Sequence, residues 1–166
     1  PIDTLISLQT SVFQLEFSVA MDSASINNIN LSSIVFGNLA YTLSGASSSF
    51  NLFFSQSMAS LDALTLTLPE SLQSSYGYGF DGNGDGEAGD SKTITLYLET
   101  LADYDHNEMV DFDDLTIFST AWYADDYSKE LGPFTGEVPH LIPILDSRFA
   151  FEDIAAFILM WNWSND

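Results

Sequence analysis

Hydrophobic and polar residues alternate along roughly the first hundred positions of the chain. In Val12–Val19, the residues Phe13, Leu15, Phe17 and Val19 share one face. Phe50, Leu52 and Phe54 repeat the pattern, as do Leu64, Leu66 and Leu68, and then Ile94, Leu96 and Leu98. A period of two is that of a half-buried strand. Leu5–Leu8, Ile29–Phe36 and Leu39–Ser44 are further strand candidates. Asn27-Asn28, Gly37-Asn38, Gly45 with Ser47–Ser49, and Pro69 separate them, as residues that favour turns. About seven short strands at this spacing predict a β-sandwich over residues 1–100.

From about residue 101 the period becomes helical. Leu115, Phe118 and Trp122 fall on one helix face, and Ile154, Phe157, Ile158 and Trp161 on another. Asp113-Asp114 and Glu152-Asp153 stand where the helices begin, and carboxylates suit the positive end of a helix dipole. The two stretches read as copies of one unit, the alternative being two unrelated amphipathic helices. Phe112–Trp122 and Phe151–Trp161, 39 residues apart, share the pattern F-[DE]-D-[LI]-x-x-F-x-x-x-W. A duplicated unit packs its helices together about a pseudo-twofold axis, Phe and Trp inward. Residues 124–150 carry Pro133, Pro139, Pro143, Gly132 and Gly136, which predicts a long connection. The predicted fold class is mainly β plus α: a sandwich over 1–100, then a small two-helix domain over 101–166.

Charge narrows the function. Asp and Glu number 24 against 3 Lys and Arg, a net charge of −21. A polyanion is repelled by nucleic acid and by anionic membranes, so neither is expected as a partner. With no Cys there is no disulfide, no thiol nucleophile and no Cys-ligated zinc. No apolar run reaches the ~18 residues of a membrane helix, so no membrane insertion is expected. The chain opens at Pro1 without Met, as an excised fragment would. The acids are uneven: five lie in residues 1–80 and nineteen in 81–166. Such crowding costs self-repulsion unless a cation sits among the carboxylates.

The spacing of those acids points to calcium. With Asp103 as position 1, Asp105, Asn107, Asp111 and Asp114 place oxygen side chains at positions 3, 5, 9 and 12, and Val110 puts an apolar residue at 8. A curled loop of this kind offers alternate side chains, the Met109 carbonyl and a carboxylate at the helix entrance, with Asp111 acting through water. The all-oxygen set disfavours zinc, copper and iron. Glu108 occupies position 6, where the backbone wants positive φ, at a cost of about 1 kcal/mol. A second set, Asp81, Asn83, Asp85, the Glu87 carbonyl and Asp90, resembles half of such a loop, followed by a strand rather than a helix. In the second copy, Ile142, Ile144 and Asp146 stand opposite Asp103, Asp105 and Asn107 at the 39-residue offset. Only Asp146 and Asp153 remain there as ligands. Burial of Ile142, Ile144 and Leu145 is the expected substitute for an ion, and Glu130 or Asp126 are the residues from which an irregular site could be built. No G-x-S-x-G, phosphate loop or dinucleotide fingerprint is present, and the two histidines, His106 and His140, fall in loops.

Asp103–Trp122 resembles one segment of a type I dockerin, D-x-D-x-N-x-x-V-D-x-x-D-L followed by a helix, with Asp rather than Glu at position 12. Phe151–Trp161 resembles the second dockerin helix, so the likeness covers about residues 101–163. Phe17-Ser18-Val19-Ala20-Met21-Asp22 with Ser25-Ile26 is similar to bacterial Ig-like domains. The resemblance implies an Ig-like sandwich followed by an EF-hand-like module, within a secreted or cell-surface bacterial protein. It implies a monomeric, non-catalytic, calcium-binding attachment module with a cohesin-type partner, from a parent that could degrade polysaccharide. The alternative is a calcium-stabilised spacer with no partner of its own. Thr116, Ser119 and Thr120 are the expected exposed residues of the first helix.

Overall fold

The structure, a computed structural model, describes residues 4–165. The outer ends of the expected domains, Pro1 and Asp166, lie outside the described residues. Among those described, ten strands form three sheets and there are two α-helices, so the chain is of mixed β and α class. It divides into two compact units. One gathers Thr10–Gln56 and Ala63–Leu96; the other gathers Leu5–Gln9, Ser57–Asp62 and the described residues from Tyr97 onward.

The strands are β1 (Thr4–Ile6), β2 (Val12–Glu16), β3 (Asn30–Ser33), β4 (Gly37–Asn38), β5 (Tyr41–Ala46), β6 (Ser49–Phe54), β7 (Ala63–Leu68) and β8 (Lys92–Leu98). A five-stranded sheet has the order β1-β8-β7-β3-β4, and a three-stranded sheet the order β2-β6-β5. In the latter, both pairings are antiparallel, with Phe13 opposite Leu52 and Leu43 opposite Leu52 on the other side. β6 and β7 alternate as their sequences predict: Phe50, Leu52 and Phe54, then Leu64, Leu66 and Leu68, are buried. In β8 only Leu98 is buried, and Ile94 is exposed.

Several strand boundaries differ from the sequence reading, among them that of the strand expected over Leu39–Ser44, which runs Tyr41–Ala46, and three others have a visible side-chain or turn cause. The strand expected over Ile29–Phe36 stops at Ser33, whose hydroxyl accepts the N–H groups of Val35 and Phe36 and turns the chain. Gly37-Asn38, read as a breaker, then pairs with Ser32-Ser33 as β4. The strand expected through Val19 ends at Glu16, because its partner turns back at Ser47, which has φ 61. The β1 strand ends at Ile6, and the Ser7 hydroxyl and Leu8 N–H both donate to the Glu99 carboxylate.

The second unit holds α1 (Phe112–Ala124), a short hairpin of β9 (Phe134–Thr135) and β10 (Ile142–Pro143), and α2 (Phe151–Ser164). Its core is built by Leu101, Val110, Phe118, Leu131, Leu141, Phe157 and Met160. The Phe118 and Phe157 rings, equivalent in the repeat, stack at 5.4 Å. Trp122 and Trp161 are half-buried and pack against the same core. Phe149 lies against Trp122 (5.1 Å) and Phe118 (5.8 Å). The expected burial of Ile144 and Leu145 is not found; both are exposed. Leu131 and Leu141 are buried in their place, because the hairpin returns Leu141, and not the residues after Pro143, to the core.

Candidate metal centre

Each acidic loop is shaped by its own carboxylates accepting backbone N–H groups. In the loop before α1, Asp114 is fully buried. Its Oδ1 accepts from the N–H of Tyr104 (2.6 Å) and of Asp105 (3.3 Å), and its Oδ2 from that of Asp111 (2.9 Å). Asp103, also buried, accepts from Asn107 N–H (3.2 Å) and Glu108 N–H (3.1 Å). Asp105 accepts from Asn107 N–H, and Asn107 Oδ1 from Met109 N–H at 2.9 Å. Glu108 has φ 70 and His106 φ 60, so position 6 does take the left-handed backbone expected of it.

The outcome is convergence of Asp103, Asp105 and Asp114. One carboxylate oxygen from each lies within 4.8 Å of the others, close enough to share a metal ion. Asp111 stands outside that group; its Oδ1 caps α1 by accepting Asp113 N–H at 2.8 Å. Asn107 is positioned by its bonds to Asp105, and Met109 is exposed on the loop. Burial, helped by the charge of Asp114, pushes the Asp103 carboxyl up, against the opposing N–H bonds of Glu108 and Asn107.

The loop in the first unit gathers Asp81, Asp85 and Asp90 in the same way, again with one oxygen of each within 4.8 Å. Asp81 accepts the N–H groups of Gly84 (2.6 Å), Asp85 (3.2 Å) and Gly86 (2.9 Å). The N–H groups of Gly86 and Gly84 hold its carboxyl below the usual range. Asn83 Oδ1 accepts from Asp85 N–H, and Glu87 N–H donates to Asp85. Gly82 is required here: a Cβ on it would come 2.5 Å from the Ser91 carbonyl oxygen.

Glu130, which the sequence offers only as one of two residues for an irregular site, is buried and shapes the loop leading into α2. Its carboxylate accepts the N–H groups of Asp146 and Ser147. Asp153, fully buried, accepts from Leu131 N–H and Gly132 N–H (both 2.9 Å) and from Ala150 N–H (2.7 Å). A fixed 39-residue offset hides Glu130, because it sets Ile142 opposite Asp103. Of the histidines, His106 is exposed in the first loop, and His140 Nδ1 pairs with the Ser60 carbonyl at 2.9 Å. Among the described residues, no buried side-chain nitrogen or oxygen lacks a hydrogen-bond partner.

Beside the first loop, α1 and α2 enclose an open apolar groove of about 740 Å³. Repeat-related pairs line it: Leu115 with Ile154, Phe118 with Phe157, and Trp122 with Trp161. Phe112, also on its wall, is 73 % exposed and Ile158 is 51 % exposed. Thr116, Ser119 and Thr120 are exposed as expected, but their hydroxyls donate to carbonyls of their own helix. Comparison with protein-family models finds no match. Comparison with curated proteins finds none either. What fold and site define is a β-rich chain with two helices and two acidic loops, each able to gather carboxylates around a cation.

Proposed function

We propose that the chain is a non-catalytic calcium-binding module of a secreted or cell-surface bacterial protein, and that it attaches its parent to a partner of the cohesin type. The resemblance to an Ig-like domain followed by a dockerin stands behind this reading. The observation that carries it is the convergence of Asp103, Asp105 and Asp114 at the first turn of the helix that walls the apolar groove. Three carboxylates at this separation repel one another, and one of them is pushed toward its protonated form. A divalent cation relieves both effects. The donors are all oxygen, which suits a hard ion: Asp103, Asp105, Asn107, Asp114 and the Met109 carbonyl would hold it, with Asp111 behind a water. Asp81, Asn83, Asp85, Asp90 and the Glu87 carbonyl would hold a second.

The ion's role is structural. It fixes the loop that leads into α1, and α1 in turn sets half of the groove. Apolar side chains as open as Phe112 and Ile158 favour a covering surface. The occupant proposed is a folded module with an apolar face and a basic rim, since this chain carries −21. The choice between attachment and spacer turns on Ile158, Leu159 and Met160: Met160 is buried in the core beside Phe157, whereas Ile158 and Leu159 are exposed, and that pair supports attachment.

The test is calcium-dependent binding to a panel of cohesin-type modules with the wild type and Ile158→Asp. Binding that EDTA and Ile158→Asp each abolish supports the proposal. A calcium-stabilised chain that binds none of the panel favours the spacer.

A further inference from the structure

Asp103 and Glu130 do the same work at two places in the chain. Asp103 accepts the N–H groups of Asn107 and Glu108; Glu130 accepts those of Asp146 and Ser147. Asp146 and Ser147 are 39 residues beyond Asn107 and Glu108. Glu108 and Ser147 also share left-handed backbone, φ 70 and φ 60. Asp114 and Asp153 match as closely. One oxygen of Asp114 takes Tyr104 and Asp105 N–H, and the other takes Asp111 N–H. One oxygen of Asp153 takes Leu131 and Gly132 N–H, and the other takes Ala150 N–H.

Two registers therefore relate the loops. The offset is 27 residues from Asp103–Asp105 to Glu130–Gly132, and 39 from Asn107 onward. The difference is an insertion of twelve residues after Gly132, and it contains the β9–β10 hairpin.

The donor sets differ where the hydrogen bonds agree. Gly132 replaces Asp105, so no side-chain oxygen stands there, and a Cβ on it would press on the first turn of α2, 3.1 Å from the Glu152 carbonyl carbon. Ala150 replaces Asp111. Among the described residues, Glu130, Asp146 and Asp153 form no group of carboxylates within 4.8 Å, as the first loop does. The insertion supplies Leu141 to the core that also holds Leu131.

We infer that the loop leading into α2 is a metal-independent copy of the loop leading into α1, opened by the hairpin and closed by Glu130 and Asp153 alone. Calcium then orders the α1 half of the pair, and α2 keeps its place without it. The second statement rests on the calcium reading of the Asp103–Asp114 loop; the first does not.

Matched substitutions in the full chain, Asp103→Asn and Glu130→Gln, separate the two. Calcium affinity is read by calorimetry, and amide exchange of each helix by mass spectrometry in calcium and in EDTA. The expected result is a tenfold or greater loss of affinity at one site in Asp103→Asn. Glu130→Gln leaves every calcium affinity within twofold and speeds exchange over residues 145–164. In EDTA, α1 amides exchange at least tenfold faster than in calcium, and α2 amides change much less. A tenfold loss of calcium affinity in Glu130→Gln overturns the inference while the calcium reading stands. If neither the wild type nor Asp103→Asn takes up calcium, that reading falls, and Glu130→Gln alone then decides the first statement: faster α2 exchange supports it, unchanged exchange overturns it.

Discussion

Asp114 accepts three backbone N–H groups with no exposure to solvent, and it also closes the α1 capping box. Removing the carboxylate leaves those donors without an acceptor. Asp114→Ala should therefore cost about 3 kcal/mol or more, measured by urea unfolding in EDTA, where no ion contributes. Glu108 holds φ 70. A side chain in that region costs roughly 1–2 kcal/mol, and glycine returns part of this as chain entropy. Glu108→Gly should raise stability by about 0.5–1 kcal/mol in the same assay. Asp103 gives a signed pH dependence. Its folded carboxyl lies above the ordinary value, chiefly through burial, so the folded state binds more protons than the unfolded one. Without calcium, its contribution to stability is greatest at acid pH and falls as pH rises from the ordinary Asp value through the raised one. On the proposed reading, calcium selects the ionised form and would reverse the slope. The check is the stability difference between wild type and Asp103→Asn across pH, in EDTA and in calcium.

At the scale of elements, α1 and α2 meet through Phe118 and Phe157, and Phe118 also lies against Trp122, Tyr104 and Phe149. Phe118→Ala should cost about 3–5 kcal/mol, read as a lower urea midpoint for the second unit. Both helices were legible in the chain because 3.6-residue periodicity, acids at the first turn and the 39-residue repeat agree. The strands of period two were legible for the same reason in β6 and β7. Elements set by single side-chain bonds were not. The Ser33 hydroxyl ends β3, and the Glu99 carboxylate ties down Ser7 and Leu8 from 91–92 residues away. In the acidic loops, the carboxylates at positions 1, 3 and 12 were readable from spacing. Asp111, expected to act only through water, stands outside the group, and its side chain caps α1. Glu130 was obscured because an insertion moves it out of register with the rest of its loop.

For the molecule as a whole, the proposed calcium sites in two loops would link ion binding to folding. At free calcium a hundred times its Kd, one site adds about 2.7 kcal/mol, a sizeable share of the roughly 5–15 kcal/mol of an ordinary domain. EDTA should therefore lower the melting temperature of the second unit by on the order of 10 °C. Ile158→Asp, on the open groove wall, should leave that melting temperature nearly unchanged and remove partner binding.

Calorimetric titration of the chelator-stripped chain with calcium tests the central claim most directly. The result expected is saturable uptake of two ions. Asp105→Ala with Asp114→Ala should remove one, and Asp81→Ala with Asp85→Ala the other. Absence of saturable uptake, or uptake indifferent to both pairs of substitutions, would contradict the account.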